Sequence, residues 1–245
     1  MRKLLLLLLS LLVLSCSKEK EPDYITLDKN ELTMSYMEEK SVLVETNVDY
    51  FTANTEDDYV ADAIANKSTV DVSAWKVGET KIIVNAGTAT AELLIKVEPK
   101  EDYIGTPVVA LGKDAAYIKA NENSKYLGDA GGSGDLFYQD TEVPFGAHHA
   151  YRFENGKLLY IITTVEIPSF SSKFDTYLIQ ISNSLQERYK VAGSVSGNYR
   201  LVYFYQYKNG EYYIGVVKGN GWHICYAKTK EEVMKRLDKH PSIAI

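Results

Sequence analysis

The sequence predicts a mainly β chain built in two parts: a β-sandwich over residues 24–98 and an α+β domain with an antiparallel sheet over residues 103–245. Three observations carry that expectation. Between Tyr24 and Val97, short β-prone runs alternate with polar turns at the spacing of a small sandwich. Past Pro99-Lys100-Glu101-Asp102, which reads as a linker, the composition changes. Fifteen of the 19 tyrosines fall between Tyr103 and Tyr226, and apolar residues take up helical spacing for the first time. Two Asn-Gly pairs, each flanked by strand-like runs, then mark hairpins, because Asn-Gly accepts the positive φ angles of a type I′ turn.

In the first part the strand-like runs are 24–27, 41–45, 69–72, 80–84 and 91–97. In the second, a short helix is expected over 114–121, with Tyr117, Ile118 and Ala115 facing inward. A longer one is expected over 173–186, where Phe174, Tyr177, Leu178, Ile181 and Leu185 share one apolar face. The third begins at Thr229: Thr229-Lys230-Glu231-Glu232 has capping-box form, and Val233, Met234 and Leu237 supply the buried side. The hairpins turn at Asn155-Gly156 and Asn209-Gly210. The order helix, strand, hairpin thus occurs twice, near 105–165 and 170–228, which points to an internal duplication.

The chain opens with Arg2-Lys3, an apolar run from Leu4 to Leu9, Ser10, and then Leu11-Leu12-Val13-Leu14-Ser15-Cys16. A positive start and an apolar run too short to span a bilayer are the marks of an export signal. Ending at a Cys, the segment resembles bacterial lipoprotein signals. That resemblance implies cleavage of residues 1–15 and acylation of Cys16, with 16–23 as a charged tether. The acidic residues after the Cys resemble the surface-export signals of Bacteroidetes lipoproteins, so an outer-membrane anchor is expected, on the periplasmic or the cell-surface face.

The first domain carries Ile25-Thr26-Leu27-Asp28, then Leu32-Thr33-Met34, then the run from Trp75-Lys76-Val77-Gly78 to Val84, and a last strand ending Leu94-Ile95-Lys96-Val97. These stretches resemble the group 2 bacterial immunoglobulin-like domains, which implies a spacer or adhesion module. The helix-then-sheet unit ending Phe153-Glu154-Asn155-Gly156-Lys157-Leu158 resembles the BamE-type outer-membrane lipoproteins and the tandem repeats of β-lactamase inhibitor protein. That likeness implies protein binding through the sheet and its loops.

The formal charge of −6 becomes −8 once Arg2 and Lys3 leave with the signal. Nucleic acid, whose affinity comes from basic side chains on phosphates, is therefore not an expected partner. With Cys16 acylated, Cys225 has no partner for a disulfide and reads as a small buried hydrophobe. His148 and His149 are adjacent and point to opposite faces of a strand, so they cannot share a metal. Glu56-Asp57-Asp58 lacks the alternation and the glycine of a calcium loop and reads as a solvated loop. The glycine-rich segment 128–135 lacks the lysine of a phosphate loop and reads as a flexible surface loop. No metal, cofactor or catalytic set is expected.

The second hairpin's register places Tyr203, Tyr205, Tyr207 and Tyr212 on one face, and Val202, Phe204, Tyr213 and Val217 on the other. If helix 173–186 covers the Phe204 face, the tyrosines form a platform for protein or glycan; if it covers theirs, they are core with their hydroxyls at the rim. The functional expectation is a non-enzymatic, lipid-anchored envelope protein that binds a protein or glycan. The alternative is a hydrolase with its site in the C-terminal domain, which a deep cleft holding His148 or His223 beside a carboxylate would support.

Overall fold

The computed structural model describes residues 21–100, 102–130, 134–144, 146–165, 174–197, 200–219 and 221–239. The signal, Cys16 and most of the tether lie outside them. Within them the chain is mainly β, in sheets that are antiparallel apart from one parallel pair.

The first part holds eight strands: β1 (Ile25–Leu27), β2 (Glu31–Ser35), β3 (Glu39–Thr46), β4 (Thr52–Thr55), β5 (Ala61–Asn66), β6 (Thr69–Ala74), β7 (Gly78–Ala86) and β8 (Ala89–Glu98). They form two four-stranded sheets, β1-β3-β6-β5 and β2-β8-β7-β4. Alternate side chains, including Val42, Val70 and Val72 from one sheet and Ile82, Val84, Leu93 and Ile95 from the other, meet in one buried core. All five expected runs are strands. Strands β4 and β5 are additional, and β2, which pairs in parallel with β8, contains the Leu32-Thr33-Met34 stretch.

The second part runs α1 (Ala115–Asn121), β9 (Lys125–Ala130), β10 (Asp135–Asp140), β11 (Ala147–Glu154), β12 (Lys157–Val165), α2 (Phe174–Arg188), β13 (Lys190–Gly197), β14 (Arg200–Tyr207), β15 (Tyr212–Gly219), β16 (Gly221–Ala227) and α3 (Lys230–Lys239). One helix followed by four strands occurs twice. The eight strands make a single sheet, β13-β14-β15-β16-β12-β11-β10-β9, whose order is a palindrome about the antiparallel β12·β16 pair. The helices start where capping chemistry puts them: the Asp114 carboxylate accepts from the Tyr117 N–H at 2.9 Å, and Thr229 Oγ1 accepts from the Glu232 N–H at 3.2 Å.

Both faces of the second half-sheet are covered. On one, Ile181, Leu185 and Tyr189 pack with Tyr205, Ile214, Val216 and Tyr226. On the other, Val233 and Leu237 of α3 pack with Val202, Phe204, Val217 and Cys225. Gly215 permits that close approach, since a Cβ there would lie 2.2 Å from Val233 Cγ1. Helix α2 therefore lies on the tyrosine face, and α3 takes the Phe204 face; a free four-tyrosine platform is not what the chain builds.

One of the two hairpin turns differs from expectation. At Asn155-Gly156 both residues have positive φ, as a type I′ turn requires. At the second hairpin the register is the expected one, Tyr207 opposite Tyr212 and Tyr205 opposite Ile214, but the positive φ values fall on Lys208 and Gly210. The turn there spans four residues, with the Gly210 and Glu211 N–H groups both bonded to the Tyr207 carbonyl. Its tip is held elsewhere, because Lys208 Nζ pairs with Asp57 of the sandwich at 2.8 Å. The described ends of the glycine-rich segment are strand: Gly128, Asp129 and Ala130 end β9, and Asp135 opens β10.

Candidate functional site

The site grows from the end of α2. A helix leaves its last carbonyls without partners inside the helix. Here three successive ones are met from the other domain. The Gln186 carbonyl accepts from Lys76 Nζ at 2.6 Å, that of Glu187 from the Val77 N–H at 2.9 Å, and that of Arg188 from the Tyr59 hydroxyl at 2.9 Å. The Lys76 ammonium also suits the negative end of the helix dipole. The interdomain segment is bound to the same end: the Lys100 N–H donates to Glu187 Oε2 at 2.9 Å, and Arg188 pairs with Asp102 at 2.8 Å while donating to the Ser184 carbonyl. Asp57, expected in a solvated loop, forms the ion pair with Lys208 across this junction.

Against this frame stands a tyrosine cluster. Tyr59 meets Tyr207 edge to face at 5.3 Å, Tyr207 stacks on Tyr212 at 4.9 Å with 14° between planes, and Tyr189 lies edge-on to Tyr207, Tyr212 and Tyr226 at 6.2 to 6.4 Å. Burial pushes the Tyr189 phenol up to about 12 and the Tyr59 and Tyr212 phenols further, so all three remain protonated donors at neutral pH. Tyr189, Tyr207 and Tyr212 floor a cleft of about 810 Å³ between the interdomain segment and the β14–β15 hairpin. Its rim is charged with both signs: Arg188, Lys113 and Lys228, with Asp102 and Glu211. An aromatic floor and a sparse polar rim suit a ligand with both apolar faces and hydrogen-bonding groups.

The four tyrosines read together from the sequence are thus divided. Tyr207 and Tyr212 line the cleft. Tyr205 is core at 4% exposure, its hydroxyl 3.0 Å from Ser182 Oγ, because α2 covers it. Tyr203, 37% exposed, borders a separate apolar groove beside α2. Cys16, the lipidation candidate, lies outside the described residues. Tyr59, Lys76, Arg188 and Tyr189 were not singled out by any spacing; they come from two domains, and only the tyrosine density of the second hinted at them.

His149 and His223 lie apart from this cleft. His223 is fully buried with Nδ1 3.2 Å from Thr164 Oγ1, and His149 is buried with Nδ1 2.9 Å from Thr163 Oγ1. Burial holds His149 below its usual range, with the Glu122 and Asp140 carboxylates acting in the opposite sense. Cys225, in the α3-side core, has its thiol pushed up to about 12 by burial and so is no nucleophile at neutral pH. Among the described residues no three His, Cys, Asp or Glu side chains come together as a metal site.

No protein-family model and no curated protein matches the chain. Solved structures of the S-layer protein SbsC are similar to it at low level. Domains 4 and 5 align at 16% identity over 30% of this chain and 50% of that one, with a TM-score of 0.27. Domains 1–6 align at 14% identity over 80% and 23%, with a TM-score of 0.29, and domains 5–6 at 13% over 79% and 89%, with a TM-score of 0.27. The chain spans half or less of the first two structures.

Proposed function

We propose that this chain is an outer-membrane lipoprotein, acylated at Cys16, whose immunoglobulin-like sandwich and duplicated α+β domain together bind a protein or glycan ligand. The observation that carries the binding role is the junction cleft, where three stacked or edge-packed tyrosines form a floor that is only part-covered by a mixed-charge rim. The sandwich grips the end of α2, and its Val77 joins the lining of the cleft. The two-fold helix-plus-four-strand order and the palindromic sheet support the duplication. Among the described residues no helix is long and apolar enough to cross a membrane.

Two experiments test the two halves. A Cys16→Ala protein is expected to leave the membrane fraction and lose its acyl mass, since each buried acyl CH₂ is worth about 0.8 kcal/mol. Unchanged partition of that variant contradicts the anchor. For the cleft, the signal-free chain is screened against arrays of envelope glycans and envelope-protein peptides, beside a Glu211→Lys variant whose rim charge is reversed. A ligand whose affinity changes at least fivefold in that variant supports the site. Ligands indifferent to it, or an array with no ligand, count against it.

A further inference from the structure

A second cleft, of about 500 Å³, opens at the same junction; Tyr59 lines it as Tyr207 lines the first. Its chemistry is different. Three ammonium groups are posted over tyrosine rings: Lys76 over Tyr36 at 4.9 Å, Lys190 over Tyr59 at 5.3 Å, and Lys208 over Tyr207 at 5.4 Å. Lys208 is neutralised by Asp57. Lys76 and Lys190 have no carboxylate within ion-pair distance among the described residues, and the acid lining the cleft beside Asp57 is the exposed Asp58. Lys76 is half buried and has its pKa held down, first by burial and then by the charge of Lys190, with the Glu187 carboxylate acting in the opposite sense. The two like charges act on one another, and an arriving anion relieves what the Glu187 carboxylate and the Gln186 carbonyl leave uncompensated.

The same cleft carries an aromatic lip. Trp75 is 41% exposed, yet its backbone N–H is fixed to the Val60 carbonyl at 2.8 Å, so the indole is presented from a hydrogen-bonded strand end. Asn209, at the hairpin tip, adds an amide. A flat apolar face, paired cations and an amide donor and acceptor match a sugar ring bearing an acidic group. We propose that this second cleft takes an anionic saccharide, its carboxylate or phosphate between Lys76 and Lys190 and its ring against Trp75. The inference rests on the binding role of the junction and names the ligand class.

The test is calorimetric titration of the signal-free chain with three probes: an oligogalacturonate, a phosphorylated mannose oligosaccharide, and a neutral oligosaccharide of equal length. At least one charged probe is expected to bind tenfold or more tightly than the neutral one, and to weaken as salt is raised. Whichever of the two binds more tightly identifies carboxylate or phosphate as the recognised group. Lys190→Glu and Trp75→Ala, both at exposed side chains, are each expected to weaken it at least tenfold while the melting temperature stays within a degree or two. Charged-probe binding retained in both variants overturns the assignment of this cleft. Equal binding of neutral and charged probes overturns the anionic class but leaves the junction as a binding site. Binding of none of the three overturns the proposal, while a Glu211-sensitive ligand from the arrays would still uphold the larger cleft.

Discussion

Tyr205→Ser is expected to destabilise the C-terminal domain by about 3 kcal/mol or more, while Tyr203→Ser changes stability by about 0.5 kcal/mol or less. The two residues lie on the same sheet face, two positions apart. Tyr205 packs in the core with Ile181, Leu185 and Ile214 and keeps its hydroxyl at Ser182, so removing the ring leaves a cavity and a hydroxyl without its partner. Tyr203 lies 37% exposed near the sheet edge. Denaturant unfolding of the two variants reads the difference directly. Equal, small losses would mean that α2 does not cover this face.

The second large effect is expected at Tyr59. Its side chain is buried at the junction, its ring packs edge to face on Tyr207, and its hydroxyl meets the Arg188 carbonyl. Tyr59→Ala is expected to cost about 3 kcal/mol, removing a large aromatic and exposing the end of α2. Tyr59→Phe keeps the ring and loses one hydrogen bond, worth about 1 kcal/mol. The account also predicts that Tyr59→Ala turns a single unfolding transition into two, because a buried aromatic contact among those that couple the domains is gone. Calorimetry of both variants checks the sizes and the number of transitions.

Much of the fold is legible in the sequence where one periodicity dominates. Val70 and Val72 alternate with Thr69 and Asp71, and β6 follows. The spacing of Ile181 and Leu185 likewise gives α2. Strands β4 and β5 escape such reading because Thr52–Thr55 has only the small Ala53 as an apolar residue and the large apolar residue of Ala61–Asn66, Ile64, points to solvent at 67% exposure. They pair through the backbone, as edge strands do. The glycines of 128–135 hide the ends of β9 and β10 for a similar reason. Alternation also told which tyrosines share a face, but not which face a helix would choose. Both faces were apolar enough, and two helices took one each. The site was least legible, since Tyr59, Trp75 and Lys76 meet Tyr189, Lys190 and Lys208 only through the docking of two domains. The unusual turn at Lys208 is part of that docking and overrides the local preference of Asn209-Gly210.

The central claim is that the two domains form one body whose junction is the site, and the Val77 amide reports on it. That N–H donates to the Glu187 carbonyl across the junction, whereas the nearby Trp75 N–H donates to Val60 within the sandwich. Native-state hydrogen exchange of the signal-free chain measures the opening of each. The account predicts that Val77 exchanges within about tenfold of Trp75 in the wild type, and much faster than Trp75 in Tyr59→Ala. A wild-type Val77 amide exchanging as fast as an exposed loop amide, with Trp75 still protected, would show the domains parted and contradict it.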